Sequence, residues 1–468
     1  MISEKKKRVY YFFDEKVGSF DYGENHFMQP KRINMTDNLI EAYGLKDKME
    51  ICATTKASFD EMIAEGAHDK EYIEFLKNIK PDDVTDKAKD LMTKFKVGSF
   101  HDNTNNRISD SKEPGMEPIP DCPVFAGVYE FSQIVAGCSL EAARKLNEER
   151  SGIAINWSGG LHHAKKAAAS GFCYVNDIVI AINELLKVYK RVLYIDIDIH
   201  HGDGVQEAFY TTNKVFTVSF HKYAKKFFPE TGKKTDIGEG DGKYYCLNVP
   251  LPDATSDCSY VEAFTFTIRN VNKKYKPEAI VMQCGADSLN DDPLGGYNLT
   301  VKGHGQCVKV VKKLKLPLLL LGGGGYKPEN AARCWAYETS VALGEEINDE
   351  RKLKKDKLKI QYWKQEEIQD FKLHTKASMK MDQCEVIERT NHVCLNLKHM
   401  VDRASNCIKS DSDDKDNNEP DEDQAVLNMS TTEGDHSDSK TEGEAGSRSE
   451  QSSDDEALAT ADMSWQEN

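Results

Sequence analysis

Asp196, Asp198 and His200 close an apolar run in which they alternate with Ile195, Ile197 and Ile199. In a strand such alternation places both carboxylates and the imidazole on one face. Burying them together without a cation costs several kcal/mol, because unpaired charge is strongly disfavoured in a low-dielectric interior. A bare Asp-x-His is more often a helix cap or a satisfied core imidazole than a metal site. Here Asp287 arrives at another strand end and completes a set of two carboxylates and one histidine. Such a set leaves a fourth zinc position open to water and substrate.

The pair His162-His163 follows Gly159 and Gly160, which permit the tight turn needed to aim imidazoles into a cleft. A histidine near neutral pKa suits proton transfer at an activated water. Asp196 and Asp203 are left over to fix the imidazole tautomers. The run Gly322 to Gly325 lacks both the Lys-Ser/Thr ending of a P-loop and the spacing of a dinucleotide fingerprint, so a nucleotide site is rejected. Its glycines free the backbone to place Tyr326, whose phenol can donate to an oxyanion or simply cover the edge of the core.

These residues need a rigid frame. Short apolar runs at Val9–Phe13, Gly152–Asn156, Arg191–Ile199, Val215–Phe220, Ala279–Cys284 and Leu316–Leu321 read as strands. Helical spacing occupies Val179–Tyr189, Tyr260–Tyr275 and Val301–Lys313. Alternation of the two predicts an α/β domain with a mostly parallel sheet covered on both faces. Ligands bind such sheets at the carboxyl ends of the strands, which is where the polar segments ending at His163, Asp203, Asp287 and Tyr326 fall.

A chain of 468 residues can hold one large α/β domain or several smaller ones. Its net charge of −16 argues against a surface built to embrace nucleic acid. The twelve cysteines contain no C-x-x-C pair, which excludes a zinc finger and a regular disulfide framework and fits a reducing compartment. No apolar stretch is long enough to span a bilayer. The start of the chain is too short in apolar residues and too aromatic for a secretory signal, so a soluble intracellular protein is expected. The run Lys5 to Arg8 suits nuclear import and equally suits plain solvated charge. Segment 99–119 reads as an inserted surface loop. From Ser405 to the end the chain is acidic and poor in large apolar residues, a composition that cannot repay the entropy of folding. Ser412, Ser452 and Ser453 precede carboxylates there, as acidophilic kinases prefer, so the tail reads either as a solubilising charged segment or as a regulatory arm modified at these serines.

Gly-Gly-Leu-His-His163, Ser170-Gly-Phe-Cys-Tyr-Val-Asn-Asp177, Tyr194-Ile-Asp-Ile-Asp-Ile-His-His-Gly-Asp-Gly204 and Leu321-Gly-Gly-Gly-Gly-Tyr326 resemble the class I histone deacetylases. The resemblance runs from about Arg8 to Gly344, resurfaces at Asp370-Phe-Lys-Leu-His374 and leaves the tail unmatched. It implies a single-domain arginase-deacetylase fold over 8–400, with eight parallel strands between helices. It also implies zinc-dependent hydrolysis of acetyl-lysine on histone tails and transcriptional repression in the nucleus, with the cytoplasm also open. Zinc would sit on Asp198, His200 and Asp287. His163 braced by Asp203 would be general base and acid, His162 braced by Asp196 would act electrostatically, and Tyr326 would stabilise the oxyanion. Gly171, Phe172, Phe228 and Leu294 would line a tunnel for the lysine stem, with Asp121 holding the substrate backbone at its rim. A monovalent cation, K+ or Na+, would use Asp196, Asp198, His200, Ser219 and Phe220, and a second would lie near Phe209, Thr212, Val215 and Tyr245. Corepressor proteins are implied as partners. Where relatives share an inositol phosphate with a partner through basic residues, this chain has Gln29, Pro293 and Glu329, which speaks against that mode.

Three rivals remain. An arginase-like enzyme would need further carboxylates to bridge two metals, and a polyamine deacetylase would favour an acidic residue in place of Leu294. A catalytically silent scaffold would be expected to have lost Tyr326 or a zinc ligand, and all are present.

Overall fold

The computed structural model describes residues 8–83, 85–98, 120–345, 347, 353–374, 381–382 and 384–413. The proposed insertion at 99–119, residues 5–7 of the basic run and most of the acidic tail therefore lie outside the described residues. The chain divides into two units, Met1–Asp411 and Ser412–Asn468. The sheet and all the site residues belong to the first.

Eight strands form one wholly parallel sheet: β1 (Val9–Phe12), β2 (Glu50–Cys52), β3 (Ile153–Asn156), β4 (Val192–Asp196), β5 (Val215–Lys222), β6 (Cys246–Leu251), β7 (Ala279–Gln283) and β8 (Leu318–Leu321). They lie in the order β2-β1-β3-β8-β7-β4-β5-β6. The central four, β3, β8, β7 and β4, are buried at every residue, as expected of strands covered on both faces by crossover helices.

The register makes this arrangement a platform. Asn156 pairs with Leu321, Leu321 with Gln283, and Gln283 with Asp196, so the last residues of the four central strands lie side by side. The loops that leave this row are the four polar segments singled out from the sequence.

Two strands escaped the sequence reading. β2 has one strongly apolar residue among its three, and β6 carries Pro250, which only an edge strand tolerates. The reading of Arg191–Ile199 as one strand also needs correction. β4 stops at Asp196, and the chain bends through Asp198, Ile199 and His200. Helices cover the sheet at Val128–Glu149, Asp177–Leu186, Asp257–Tyr275, Val301–Lys312 and Pro328–Leu343. Their starts follow from capping: the Asn176 side chain accepts from the Val179 amide, and Thr300 accepts from the amides of Lys302 and Gly303. The last described helix, Val386–Asp413, carries the chain past Ser405, where the composition turns acidic.

Cys52, Cys122, Cys138, Cys173, Cys246, Cys258, Cys284, Cys307, Cys334, Cys384 and Cys394 are free thiols, and among the described residues no helix is long and apolar enough to cross a membrane. Inside the core, Trp157 after β3 stacks on Trp335 of the Pro328–Leu343 helix at 5.9 Å between ring centres. This contact ties that helix to the row of strand ends.

Gly137 sits within the helix Val128–Glu149, where a Cβ would collide with the Thr55 carbonyl oxygen and crowd the Ala57 amide. Replacing a helical glycine with alanine normally gains about 1 kcal/mol. Gly137→Ala should instead destabilise the protein by about 1–3 kcal/mol, the range for overpacking. Urea unfolding with an unchanged m value would measure it.

Candidate active site

The bend after β4 is held by aspartates. The Asp198 amide donates to Asp196 Oδ1 at 3.1 Å, the His200 amide to Asp198 Oδ1 at 2.9 Å and the Ile199 amide to Asp287 Oδ1 at 3.0 Å. These carboxylates thus bind backbone amides and still converge with an imidazole. His200 Nδ1 lies 3.1 Å from Asp198 Oδ1 and 3.0 Å from Asp287 Oδ2. One donor atom from each of the three falls within 4.8 Å of the others, and all three side chains are buried.

Electrostatics follow from this crowding. Burial and the Asp198 carboxylate push Asp287 up to about 6. Burial alone would lower the His200 imidazole, but Asp287 and Asp198 outweigh it and hold the ring up at about 10. His200 thereby acts as counter-cation to two buried carboxylates, a task a divalent ion between them performs better. The donor set of two carboxylates and one imidazole suits zinc.

Beside this cluster stand two His–Asp pairs. His162 Nδ1 lies 2.8 Å from Asp196 Oδ2, and His163 Nδ1 lies 2.7 Å from Asp203 Oδ1. The rings are 3.8 Å apart, yet their chemistry diverges. Burial opposes charge on His162, but Asp196 and Asp198 win and raise it to about 9. Burial and the His162 charge depress His163 to about 3. One imidazolium and one neutral imidazole result.

Tyr326 stands beside this cluster, its ring centre 6.5 Å from His200 and 5.4 Å from Phe172. Burial, with Asp287 and Asp198 nearby, raises its phenol well above the ordinary range, so the hydroxyl remains a donor. Phe228 packs edge-on at 4.8 Å from His163 and 6.2 Å from His200. Gly171, at φ +51, faces His163 and Phe228 with no room for a Cβ. Its amide donates to Asp121 Oδ2 at 2.9 Å. Leu294 is half-buried, with its amide on Asp292 Oδ1 at 2.9 Å.

Other positions named from the sequence fall nearby or apart. Ser219 pairs with Asp196 across β5 and β4, and Phe220 follows it. Thr212 donates its amide to the Phe209 carbonyl at 3.3 Å, while Val215 starts β5 and the Tyr245 carbonyl accepts from Thr217 at 3.0 Å. Gln29 and Glu329 are half-buried and Pro293 is exposed.

The sequence reading missed several residues that hold the site together. Asp177 accepts from the Gly160 and Leu161 amides at 2.9–3.1 Å and from Ser139 Oγ at 2.5 Å, fixing the turn that carries both histidines. Gln283 donates to Asp198 Oδ2 at 2.9 Å. Asp292 Oδ2 accepts from the Tyr326 amide at 2.7 Å. Buried Arg32 donates to the carbonyls of Gly323 and Gly325 at 2.6 and 2.7 Å. A second cluster, His304, Cys334 and Glu338, also has metal-capable donors. Both His304 nitrogens are already engaged, with Glu338 at 2.6 Å and the Gly285 carbonyl at 3.0 Å, so this cluster braces the exit of β7.

The histone deacetylase domain profile matches residues 26–342, about two thirds of the chain. The chain belongs to the class I histone deacetylase family. It is 46% identical over 470 residues to histone deacetylase HDAC1 of Drosophila melanogaster, covering 97% of this chain and 83% of the fly protein. With probable histone deacetylase 1-A of Xenopus laevis it shares 46% over 455 residues, 94% of this chain and 88% of the frog protein. With human histone deacetylase 1 the identity is 52% over 345 residues, 74% of this chain and 66% of the human one. The family is zinc-dependent, and the Asp198–His200–Asp287 cluster is the deacetylase's candidate metal site.

His68 anchors the histidine-bearing turn from behind. Its Nε2 accepts from the Asn176 amide at 2.8 Å and its Nδ1 faces the Lys166 carbonyl at 3.2 Å, which fixes a neutral ring. Burial lowers it from 6.5 to about 4. The unfolded chain therefore takes up this proton first, and stability falls as pH drops from about 6.5 to about 4. The interval is worth about 3 kcal/mol. Unfolding free energies measured across that window should fall less steeply in His68→Gln than in the parent protein.

Proposed function

We propose that this deacetylase hydrolyses N6-acetyl-lysine on histone tails to free lysine and acetate, and so represses transcription. The observation that carries the proposal is the meeting of a buried carboxylate–imidazole cluster with two His–Asp pairs of opposite charge state. In this reading Asp198, His200 and Asp287 hold zinc, which supplies Lewis-acid polarisation of the acetyl carbonyl and lowers the pKa of a water.

The remaining roles fall to the chain's own side chains. His163, neutral and held by Asp203, accepts a proton from the attacking water and returns it to the leaving lysine nitrogen. His162, kept positive by Asp196, contributes charge and no proton transfer. The Tyr326 hydroxyl donates to the carbonyl oxygen as that oxygen gains charge. Phe172 and Phe228, with Gly171 and Leu294, form apolar walls suited to the four-methylene stem, and Asp121 orients the substrate backbone.

A monovalent ion, K+ or Na+, is assigned to Asp196, Asp198 and His200 with Ser219 and Phe220, and a second to Phe209, Thr212, Val215 and Tyr245. The catalytic domain is taken as 8–400, with its insertion at 99–119 and an acidic tail at 405–468. The place of action is chromatin in the nucleus, in company with corepressor proteins. Gln29, Pro293 and Glu329 supply no positive charge for an inositol phosphate at a partner interface. A silent scaffold is not favoured, since none of the reacting groups is missing.

Release of lysine from an acetylated histone peptide tests the proposal. Activity should vanish with a zinc chelator. In Tyr326→Phe it should fall roughly 10²–10³-fold in kcat, the loss typical of a deleted oxyanion donor. Full activity in that variant would refute the role of the phenol.

A further inference from the structure

The two His–Asp pairs share a plan but differ behind the carboxylate. Asp196 takes the Tyr194 hydroxyl at 2.6 Å on Oδ2 and the Asp198 amide at 3.1 Å on Oδ1, both neutral donors. Asp203 has a cation. Lys165 Nζ stands 2.7 Å from Asp203 Oδ2, while Oδ1 serves His163 at 2.7 Å and the Gly204 amide at 3.0 Å. Lys165 also meets Glu207 Oε2 at 3.0 Å.

This lysine is built into place. Its amide donates to the Ala168 carbonyl at 2.9 Å, and the carbonyls on either side of it are taken: Ala164 by Asn176 Nδ2 at 3.0 Å and Lys166 by the Asp69 amide at 2.9 Å. Gly204 donates to the His162 carbonyl at 3.0 Å, tying the lysine's turn to the helix that begins at Asp203. The Lys165 side chain is 24% exposed and that of Asp203 only 11%, so the pair is shielded from salt better than a surface bridge. Its outer partner Glu207 is 64% exposed and contributes little.

We infer that Lys165 is a positioning residue for the proton-transfer step: its ammonium pins Asp203 Oδ2 so that Oδ1 stays on His163 Nδ1. A carboxylate held at only one oxygen can swing about its side-chain torsions. Held at both, it fixes the imidazole plane and tautomer and leaves Nε2 to exchange protons with the reactants. Sharing its charge with an ammonium also weakens the pull of Asp203 on the Nδ1 proton. Among the described residues, no lysine or arginine stands behind the Asp196 carboxylate that holds His162. The inference rests on the reading of His163 as the group that moves the proton.

The test compares Lys165→Met, Lys165→Arg and Lys165→Gln, each alone and in an Asp203→Asn background, with His163→Ala as control. The readouts are kcat and KM on an acetyl-lysine peptide, zinc content and the thermal midpoint. Lys165→Met should lower kcat roughly 10–100-fold, the usual cost of losing a group that orients an active-site residue, with KM and zinc content little changed. Arginine should restore most of the rate, and in the Asp203→Asn background the methionine should cost nothing further. An unchanged kcat in Lys165→Met, failure of arginine to rescue, or a full additive loss on top of Asp203→Asn would overturn the inference. Should Lys165→Met not fold, Lys165→Gln is read in its place; if neither folds, Lys165 is a stability residue and the inference falls. Full activity in His163→Ala would instead sink the underlying reading of the base.

Discussion

Two carboxylates cannot be buried side by side unless a proton or a cation sits between them. Asp198 and Asp287 are held in that position by the register of the sheet, which brings the ends of β3, β8, β7 and β4 level and sends four polar loops from one row. Much else follows from it. Gln283, the Gly324 amide and the Ile199 amide all donate to these carboxylates, so the site is charged before any ligand arrives. Tyr326 remains a phenol because burial, with the same carboxylates beside it, opposes its ionisation.

The negative cluster also separates the two histidines. His162 lies between Asp196 and Asp198, which outweigh its burial and keep it protonated; His163, one residue on, is driven neutral by burial and by that positive charge. Two chemically equal side chains 3.8 Å apart thus become an imidazolium and a neutral imidazole, a division produced by surroundings alone. The backs of the pairs carry the asymmetry further, with neutral donors on Asp196 and the Lys165 ammonium on Asp203.

Much of this was legible in the sequence because the chemistry sits in short motifs that directly follow strands. Asp196 to Asp203 and Gly322 to Tyr326 each announce both the end of a strand and the residues it presents. The limits of that legibility are physical. Asp198 and His200 converge through a bend tied down by side-chain oxygens, and strand alternation applies only as far as Asp196. β2 lies exposed at one edge with a single strongly apolar residue, and β6, buried at the other edge, is masked by its Pro250. Arg32, Gln283 and Asp292 gave no signal as isolated polar residues, and Asp177 closed a motif that did not show what its carboxylate holds. Arg32 donates to Gly323 across 291 positions, a distance no local pattern spans.

The central claim is that the Asp198–His200–Asp287 cluster exists to hold a cation, and metal analysis of the purified protein tests it most directly. One equivalent of zinc per chain is expected, falling to a small fraction in Asp287→Asn while the variant stays folded. Zinc retained in full by that variant, or a zinc-free parent whose deacetylation is indifferent to chelators, would contradict the account.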